Sequence, residues 1–322
     1  MLEYVLLIGG IILLVKSADY LVEGASALAK RIGVSTLVIG LTIVSFGTSF
    51  PELIISIIAA LQGSGEIVLG NVIGSTLSNT LLILGVIAVI TRVTVKSATT
   101  WKEIPFALLA TLVIIIFSLN PRIDGTGQAV LTSTDGIILL LFFSIFLYYV
   151  FEIARRDKTL LKELEEHEAH THSNRTMCAM IIGGSLGLFV GGKWTVDGAV
   201  VIAQNIGMSE FLISATIISI GTSLPELITS IVAALKRDVD LAVGNVIGSN
   251  IFNILWVLGA TAIVAPLALP SFITFDLMVA LLAIILLFVF MFTNKKHELE
   301  TWEGLLMLGV YAGYIAFIIL RG

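Results

Sequence analysis

The sequence contains one segment twice. When the chain is displaced by 174 residues, residues 35–90 align with residues 209–264 without a gap, and 28 of the 56 aligned positions are identical. Agreement is densest where SFGTSFPELIISI aligns with SIGTSLPELITSI, and where GNVIGS occurs in both copies. Because repeated segments fold into equivalent structural units, the chain is expected to consist of two related halves.

Long apolar runs predict that both halves lie in a membrane. The chain is 57% hydrophobic and only 13% charged, whereas roughly a quarter of the residues are charged in a soluble domain. A run of about 20 apolar residues is long enough to cross the hydrocarbon core of a bilayer. No basic tract suggests a nucleic-acid partner. We predict an all-α polytopic membrane protein with ten transmembrane helices, at residues 3–29, 36–62, 66–91, 103–119, 135–155, 176–204, 209–235, 240–265, 272–292 and 302–320.

The predicted helices divide equally between the two halves. Residues 1–155 form an N-terminal five-helix repeat, residues 156–174 a polar linker, and residues 175–322 a C-terminal five-helix repeat. Since five is an odd number, the second repeat enters the membrane upside down relative to the first. Inverted repeats are characteristic of secondary transporters, which bind their substrate near the bilayer midplane where the repeats meet. A repeat alone also fits a channel.

Basic residues predict which side of the membrane each connection faces. At the span ends and beyond them, 14 Lys and Arg residues lie on the side of the odd-numbered connections, and only Arg122 and Arg321 lie on the other side. Because basic residues are enriched in cytoplasmic connections, the linker is expected in the cytoplasm and both termini outside. Glu3 stands where a signal peptide has a basic region, so the first helix is expected to stay in place. The predicted location is the plasma (inner) membrane.

Four of the predicted helices carry polar side chains along one face. In the second and seventh helices, polar residues recur at spacings of three or four, which place them on one side of a helix. In the third and eighth helices they recur every four residues, and four such stripes can line one cavity. The stripes are Ser45, Thr48, Ser49, Glu52 and Ser56; Ser219, Thr222, Ser223, Glu226 and Ser230; Asn71, Ser75 and Asn79; and Asn245, Ser249 and Asn253.

Glu52 and Glu226 indicate a functional site inside the bilayer. A charged side chain at the centre of a membrane helix costs about 2.5–3.5 kcal/mol or more. Two of them at equivalent positions are not expected to serve packing alone, although a protonated, hydrogen-bonded pair that stabilises helix contacts is the alternative. Each follows a proline, Pro51 or Pro225, that lacks the N–H a helix needs.

The prolines are expected to bend both helices and to free backbone carbonyls around residues 45–48 and 219–222. Irregular backbone at membrane depth is tolerated where it lines a cavity, which favours a transporter over a channel. Carbonyls, hydroxyls and carboxylates form an oxygen-rich site that suits sodium and calcium. The four helices contain no Cys or His, which argues against transition metals, and no nucleophile has a His base, which argues against an enzyme.

These motifs resemble the cation/calcium antiporter superfamily, specifically its sodium/calcium exchanger branch in the prokaryotic form that has no large regulatory domain. GTSFPEL and GTSLPEL look like the two alpha-repeat signatures, as do GNVIGSTLSN and GNVIGSNIFN. The resemblance implies exchange of sodium for calcium by alternating access, with the first and sixth helices sliding against the rest. No cofactor is expected, since sodium and calcium would be the transported substrates, and no obligate protein partner is evident.

The resemblance also implies roles for individual residues. Glu52 and Glu226 would be the central acidic ligands, and Thr48 and Thr222 would offer backbone carbonyls to calcium. The other implied ligands are the hydroxyls of Ser49, Ser75, Ser223 and Ser249 at flanking sodium sites, the carbonyls of Ser45 and Ser219, and the central amides of Asn79 and Asn253.

One position departs from the family pattern. Several members carry Asp where this chain has Asn253, so its centre holds two carboxylates and not three, which puts potassium co-transport in doubt. Proton/calcium exchangers of the superfamily usually carry an acidic GNA-type motif where this chain has GNVIGS, which favours sodium as the driving ion. A proton/calcium or other divalent-cation antiporter is the alternative, and a cation channel is a more remote one.

Charged residues and glycines in the first and sixth helices have two interpretations each. Lys16, Asp19, Glu23, Lys193 and Asp197 either line an entry path for cations or pair locally near the cytoplasmic interface. The glycines permit either ordinary close packing or sliding. They are Gly9, Gly10, Gly183, Gly184, Gly187, Gly191 and Gly192.

The linker contains three of the four histidines of the chain. His167, His170 and His172 stand among glutamates, so they either bind a regulatory metal ion or belong to a solvated charged loop. Cys178 is the only cysteine, and it is expected to be an ordinary small residue of the sixth helix.

Overall fold

The computed structural model describes residues 2–124, 129–164, 172–207, 219–270 and 273–321. Almost all of these residues are helical. The helices are α1 (Leu2–Ile32), α2 (Thr36–Leu61), α3 (Gly65–Ile90), α4 (Ile104–Asp124), α5 (Ser133–Leu164), α6 (Asn174–Asn205), α7 in two pieces (Ser219–Thr222 and Leu224–Leu235), α8 (Val239–Val264), α9 (Ile273–Phe290) and α10 (Thr301–Arg321).

The predicted all-α membrane fold is confirmed. Within the described ranges, nine helices are long and apolar enough to cross a membrane, and Leu224–Leu235 of α7 is a shorter apolar helix. The start of the predicted seventh span, residues 209–218, lies outside the described residues. Helix α5 continues to Leu164 and not to residue 155, because the Lys, Leu and Glu residues at the start of the predicted linker all favour helix.

Single turns of π-helix interrupt three of the long helices. One lies in α2 at Gly40–Val44, one in α3 at Ser78–Ile83 and one in α8 at Phe252–Val257. The last two occupy equivalent positions of the two repeats, since both of their limits differ by 174 residues. Such turns are frequent at functional sites, and no pattern in the sequence predicts them. A fourth π-helical turn, Thr99–Glu103, precedes α4.

Helices α3 and α8 form the centre of the bundle. In their most apolar windows, 72% and 83% of the residues are buried, whereas the figure for α5 is 22%. The outer helices therefore present apolar side chains outward, as expected of surfaces that face lipid. The motif GNVIGS lies on these two central helices, so polar residues of the motif lie in the interior.

Helices α1 and α6 pack antiparallel through glycine. A Cβ atom at Gly10 would lie 2.6 Å from the backbone N of Thr195, and one at Gly184 would lie 2.9 Å from the backbone N of Leu21. The predicted close packing is therefore present, although Gly9 and Gly183 have no atom within 4 Å. The glycines that do contact the opposite helix are Gly10, Gly24, Gly184, Gly187, Gly191 and Gly198.

Two short antiparallel strand pairs connect the repeats. Strand β1 (Val93–Thr94) pairs with β4 (Glu298–Leu299), and β2 (Val130–Leu131) pairs with β3 (Leu267–Ala268). Strands β1 and β3 are at equivalent positions of the two repeats. Each pair joins a connection of the first repeat to a connection of the second, so the ends of the bundle are held together across the repeat boundary.

Candidate ion-binding site

Hydrogen bonds between polar side chains join α2, α3, α7 and α8 inside the bundle. The hydroxyl of Ser49 on α2 donates to Oε1 of Glu226 on α7, at 3.4 Å. The hydroxyl of Ser223 on α7 donates to Oγ of Ser75 on α3, at 3.3 Å. The hydroxyls of Thr48 on α2 and Ser249 on α8 are 3.4 Å apart. The four predicted polar stripes therefore meet at one place, with contributions from both repeats.

Two carboxyl groups lie at the centre of this cluster. Glu52 and Glu226 are completely buried, and they are close enough to interact electrostatically. Within the described part of the chain, neither carboxylate oxygen of Glu52 has a hydrogen-bond partner, and Oε2 of Glu226 has none. Buried charges that no group pairs are costly, so these oxygens require a cation or a proton.

The amides of Asn79 and Asn253 add further unpartnered polar atoms. Both side chains are completely buried, and both polar atoms of each lack a hydrogen-bond partner among the described residues. Each amide stands at the second position of a π-helical turn. The turn that carries Asn79 packs against the helix of Glu226, and the turn that carries Asn253 packs against the helix of Glu52. Each repeat therefore places its asparagine turn against the glutamate helix of the other repeat.

The interface of α2 and α8 is closed by backbone contact. A Cβ atom at Gly40 would lie 2.7 Å from the carbonyl oxygen of Leu241, and one at Gly244 would lie 2.7 Å from that of Leu37. The hydroxyl of Ser45 donates to the carbonyl oxygens of Gly40, at 2.7 Å, and of Asn245, at 3.0 Å. No space for water separates the helices at this end of the site.

The two repeats differ at the expected bends. Residues 45–48 are α-helical and α2 continues through Pro51, so the prediction of unwound backbone there is wrong. Pro51 removes only one bond of the ladder, to the carbonyl of Gly47, while the packing on α8 holds the neighbouring turns. In α7 the helix is interrupted at Ser223, whose φ and ψ are −89° and 5° and whose N–H bonds three residues back to Ile220.

Burial also shows that the α2–α8 end of the site is packed more closely than the α3–α7 end. Thr48 is completely buried, whereas its equivalent Thr222 is half-buried. Gly244 and Asn245 are buried, whereas their equivalents on α3 are exposed and half-buried respectively. The side chain of the remaining predicted ligand, Ser219, lies outside the described part of the chain. One end of the site is therefore closed by α2 and α8, and the end near α3 and α7 is more open.

Charged residues of α1 and α6 pair locally. Asp19 forms an ion pair with Lys236 at 2.6 Å, and Lys193 pairs with Asp197 at 2.8 Å on the same helix. Glu23 is 2.9 Å from Nε2 of His172. These contacts favour local pairing over a cation entry path. His167 and His170 lie outside the described residues.

The donor set of the site consists of oxygen atoms and amide groups. Across the described ranges, no group of three or more His, Cys, Asp or Glu side chains is placed to bind a metal ion. The cluster around Glu52 and Glu226 instead combines two carboxylates with hydroxyl and amide oxygens, which is the chemistry that hard cations prefer. The sequence predicted these side chains, but it did not predict the π-helical turns that place the amides.

Comparison with known proteins agrees with this architecture. The chain is 37% identical over 313 residues to the putative antiporter CaxA of Alkalimonas amylolytica, with 95% of both chains covered. It is 35% identical to the inner membrane protein YrbG of Escherichia coli, with 99% of this chain and 97% of the other covered. It is 29% identical to the sodium/calcium exchanger MaX1 of Methanosarcina acetivorans, with 98% of each chain covered.

Comparison with solved structures also finds a sodium-calcium exchanger. The fold superposes on the sodium-calcium exchanger NCX_Mj, in crystals soaked with sodium and calcium, with a TM-score of 0.81, 30% identity and 98% of each chain covered. The profile of the family described as sodium/calcium exchanger protein matches residues 2–152 and 176–320. The chain is an integral membrane transporter and not an enzyme, and it belongs to the sodium/calcium exchanger family of cation/calcium antiporters.

Proposed function

We propose that this protein exchanges sodium for calcium across the membrane by alternating access, with the ions bound between Glu52 and Glu226. The observation that carries the proposal is a pair of completely buried carboxyl groups, one from each repeat, with oxygens that no described group satisfies. One calcium ion or two sodium ions would each neutralise the pair. The two cations would therefore compete for one site, which is what exchange requires.

The ligand geometry suits calcium. Calcium takes about six to eight oxygens at roughly 2.3–2.6 Å, and its carboxylate ligands are often bidentate. Two bidentate glutamates and the backbone carbonyls of Thr48 and Thr222 would supply six oxygens. Since α2 is helical at Thr48, its carbonyl would use the lone pair that the helical hydrogen bond leaves free. Sodium would use the surrounding groups, which are the hydroxyls of Ser49, Ser75, Ser223 and Ser249, the carbonyls of Ser45 and Ser219, and the amides of Asn79 and Asn253.

The assignment of these ligands is supported by their packing. Ser49 contacts the carboxylate of the opposite repeat, and Ser75 contacts the hydroxyl of Ser223. Asn79 and Asn253 are buried with unsatisfied amides in turns that pack on the two glutamate helices. A bound cation would satisfy oxygen atoms that otherwise lie without a partner in a protein interior.

A proton-coupled antiporter is the second candidate. Two buried carboxyl groups can be neutralised by protons as well as by cations, and this observation alone favours neither driving ion. Sodium is preferred because Asn79 and Asn253 provide amide oxygens that can coordinate sodium but cannot carry a proton at neutral pH. A channel is disfavoured because α2 and α8 are in backbone contact at one end of the site.

The proposed arrangement in the membrane follows the basic residues. We place both termini outside and the linker at 156–174 in the cytoplasm, between repeats 1–155 and 175–322. Similarity to YrbG, an inner membrane protein, supports location in the inner membrane. Under this orientation the closed end of the site, at Gly40 and Gly244, faces the cytoplasm.

Calcium-45 uptake into proteoliposomes tests the proposal. Vesicles loaded with sodium and diluted into sodium-free buffer are expected to take up calcium, whereas vesicles without sodium are not. Uptake that needs only a pH gradient would replace sodium by protons as the driving ion. Uptake that needs no counter-ion would indicate a channel. Vesicles that contain the Glu226→Gln variant are the matched control for leakage.

A further inference from the structure

Each repeat contains the same hydrogen bond between a serine and an asparagine of neighbouring helices. In the first repeat, Nδ2 of Asn71 on α3 donates to Oγ of Ser56 on α2, at 3.2 Å. In the second repeat, Nδ2 of Asn245 on α8 donates to Oγ of Ser230 on α7, at 2.9 Å. Both partners differ by 174 residues between the repeats, so the contact obeys the internal symmetry.

A second contact fixes the direction in which the amide oxygen of Asn71 points. The amide nitrogen of Asn71 also donates to the backbone carbonyl of Glu52, at 3.3 Å. A carbonyl can only accept a hydrogen bond, so the nitrogen of this amide must face α2. The Oδ1 atom is consequently directed away from Ser56 and is available to a donor from another helix.

The amide oxygens of Asn245 and Asn71 differ in their hydrogen bonding. Oδ1 of Asn245 accepts from the hydroxyl of Thr48, at 3.2 Å, which joins α8 of the second repeat to α2 of the first. Oδ1 of Asn71 is buried, yet it has no hydrogen-bond partner among the described residues. Internal symmetry assigns it Thr222 as its donor, and Thr222 is half-buried where Thr48 is completely buried.

The hydroxyls nearby show the same difference. Thr48 on α2 is 3.4 Å from Ser249, but the equivalent Ser75 receives the hydroxyl of Ser223 and not that of Thr222. The hydroxyl that Ser75 receives therefore comes from one residue later than the internal symmetry predicts. A rearrangement of the piece of α7 before Ser223, with Ser230 still bonded to Asn245, would bring Thr222 to Ser75 and to Oδ1 of Asn71.

We propose that Asn71 and Asn245 are positioning residues that close the two ends of the ion site in turn. In the state described above, Asn245 holds Thr48 and closes the α2–α8 end. In the opposite state, Asn71 holds Thr222 and closes the α3–α7 end, while the bond between Thr48 and Asn245 is broken. The inference rests on the proposed exchange, because it assigns these residues to its alternation between two states.

The chemistry of the pair suits a two-state element. One state satisfies one buried amide oxygen and leaves the other without a donor, and the opposite state reverses this. The number of satisfied amide oxygens is the same in both, so this pair by itself favours neither state. Equilibria of this kind respond to the small differences in affinity that a bound ion can supply.

A pair of matched variants tests the proposal, because Thr48→Val and Thr222→Val each remove one hydroxyl and keep the backbone carbonyl. The reporter is Gly70→Cys, at an exposed position of α3 where no atom lies within 4 Å of a Cβ, in a background that carries Cys178→Ser. The rate of labelling by a membrane-impermeant maleimide measures how often the α3–α7 end is open. Labelling needs no transported ion, so it is informative even if sodium is not the driving ion.

Thr48→Val is expected to slow labelling by about threefold to tenfold, the factor that one net hydrogen bond corresponds to. Thr222→Val is expected not to slow it. Equal rates in both variants, or a decrease in both, would overturn the proposal. Thr111→Val, which loses a buried bond to Ala107 of its own helix, is the control and should label like the parent.

A second pair of variants guards against misfolding. Ser230→Ala and Ser56→Ala release the amides of Asn245 and Asn71 without removing them. Ser230→Ala should slow labelling and Ser56→Ala should not, by the same reasoning. A purely structural role of the serines would change both rates in the same direction and would contradict the inference.

Discussion

Ser49 and Glu226 are joined across the two repeats by a hydrogen bond of 3.4 Å. Their positions are 177 residues apart in the sequence, and each belongs to a copy of the same motif. The carboxylate of one repeat thus accepts a hydrogen bond from a hydroxyl of the other, so the candidate site lies where both repeats meet. Ser49 is therefore the first residue to substitute.

Ser49→Ala should weaken sodium binding without abolishing transport. It removes one hydroxyl ligand and one donor to a carboxylate, and a hydrogen bond contributes about 0.5–1.5 kcal/mol. The sodium concentration for half-maximal calcium uptake should rise by about threefold to tenfold, as measured in proteoliposomes. Ser133→Ala, which removes a hydroxyl at the start of α5, is the matched control, and an equal rise in both would remove Ser49 from the site.

Glu52→Gln and Glu226→Gln should each abolish calcium uptake and leave the protein folded. Glutamine keeps the size of the side chain but removes the charge that attracts a divalent ion. Size-exclusion elution should match that of the parent and the thermal unfolding midpoint should not fall, because a neutral amide costs less to bury than a carboxylate. Sustained calcium uptake in either variant would show that the ions bind elsewhere.

Gly248→Ala should destabilise the protein. The new Cβ would lie 2.2 Å from Oγ of Ser45 and 2.9 Å from Cα of Leu41, and overpacking of this kind costs about 1–3 kcal/mol. Gly313→Ala is the matched control, because no atom lies within 4 Å of its Cβ. The thermal unfolding midpoint should fall only for Gly248→Ala, and similar midpoints for both variants would mean that α2 and α8 are not in close contact.

Asp19→Asn should leave transport unchanged. The ion pair of Asp19 with Lys236 is partly exposed, with 42% and 35% of the two side chains accessible, and pairs of this kind contribute about 0–1 kcal/mol. The half-maximal sodium concentration is the quantity to measure. A rise of several fold would revive the interpretation of these residues as a cation entry path.

The sequence predicted the elements that depend on local pattern. Apolar runs predicted the helices, although α5 extends nine residues beyond its predicted end at 155, and the spacing of Thr48, Glu52 and their equivalents predicted which faces are polar. The turns that carry Asn79 and Asn253 were not predicted, because a π-helical turn depends on backbone packing and has no characteristic side-chain pattern.

The bends were predicted only in part. Pro51 and Pro225 stand in nearly identical motifs, yet α2 is continuous and α7 is interrupted at Ser223. A proline removes one hydrogen bond in either helix, and the surrounding packing decides whether the helix breaks. Two copies of one motif therefore cannot reveal by themselves which one is bent, since the difference belongs to the state of the whole molecule.

The strand pairs have a consequence for biosynthesis. Val93 pairs with Leu299, and Val130 pairs with Ala268. The strand partner of each N-terminal strand is therefore synthesised more than a hundred residues later. A nascent chain that has inserted its first five helices still exposes two unpaired backbone edges. Synthesis of the second repeat therefore completes both ends of the protein, and truncation before Leu299 should leave β1 without its partner strand.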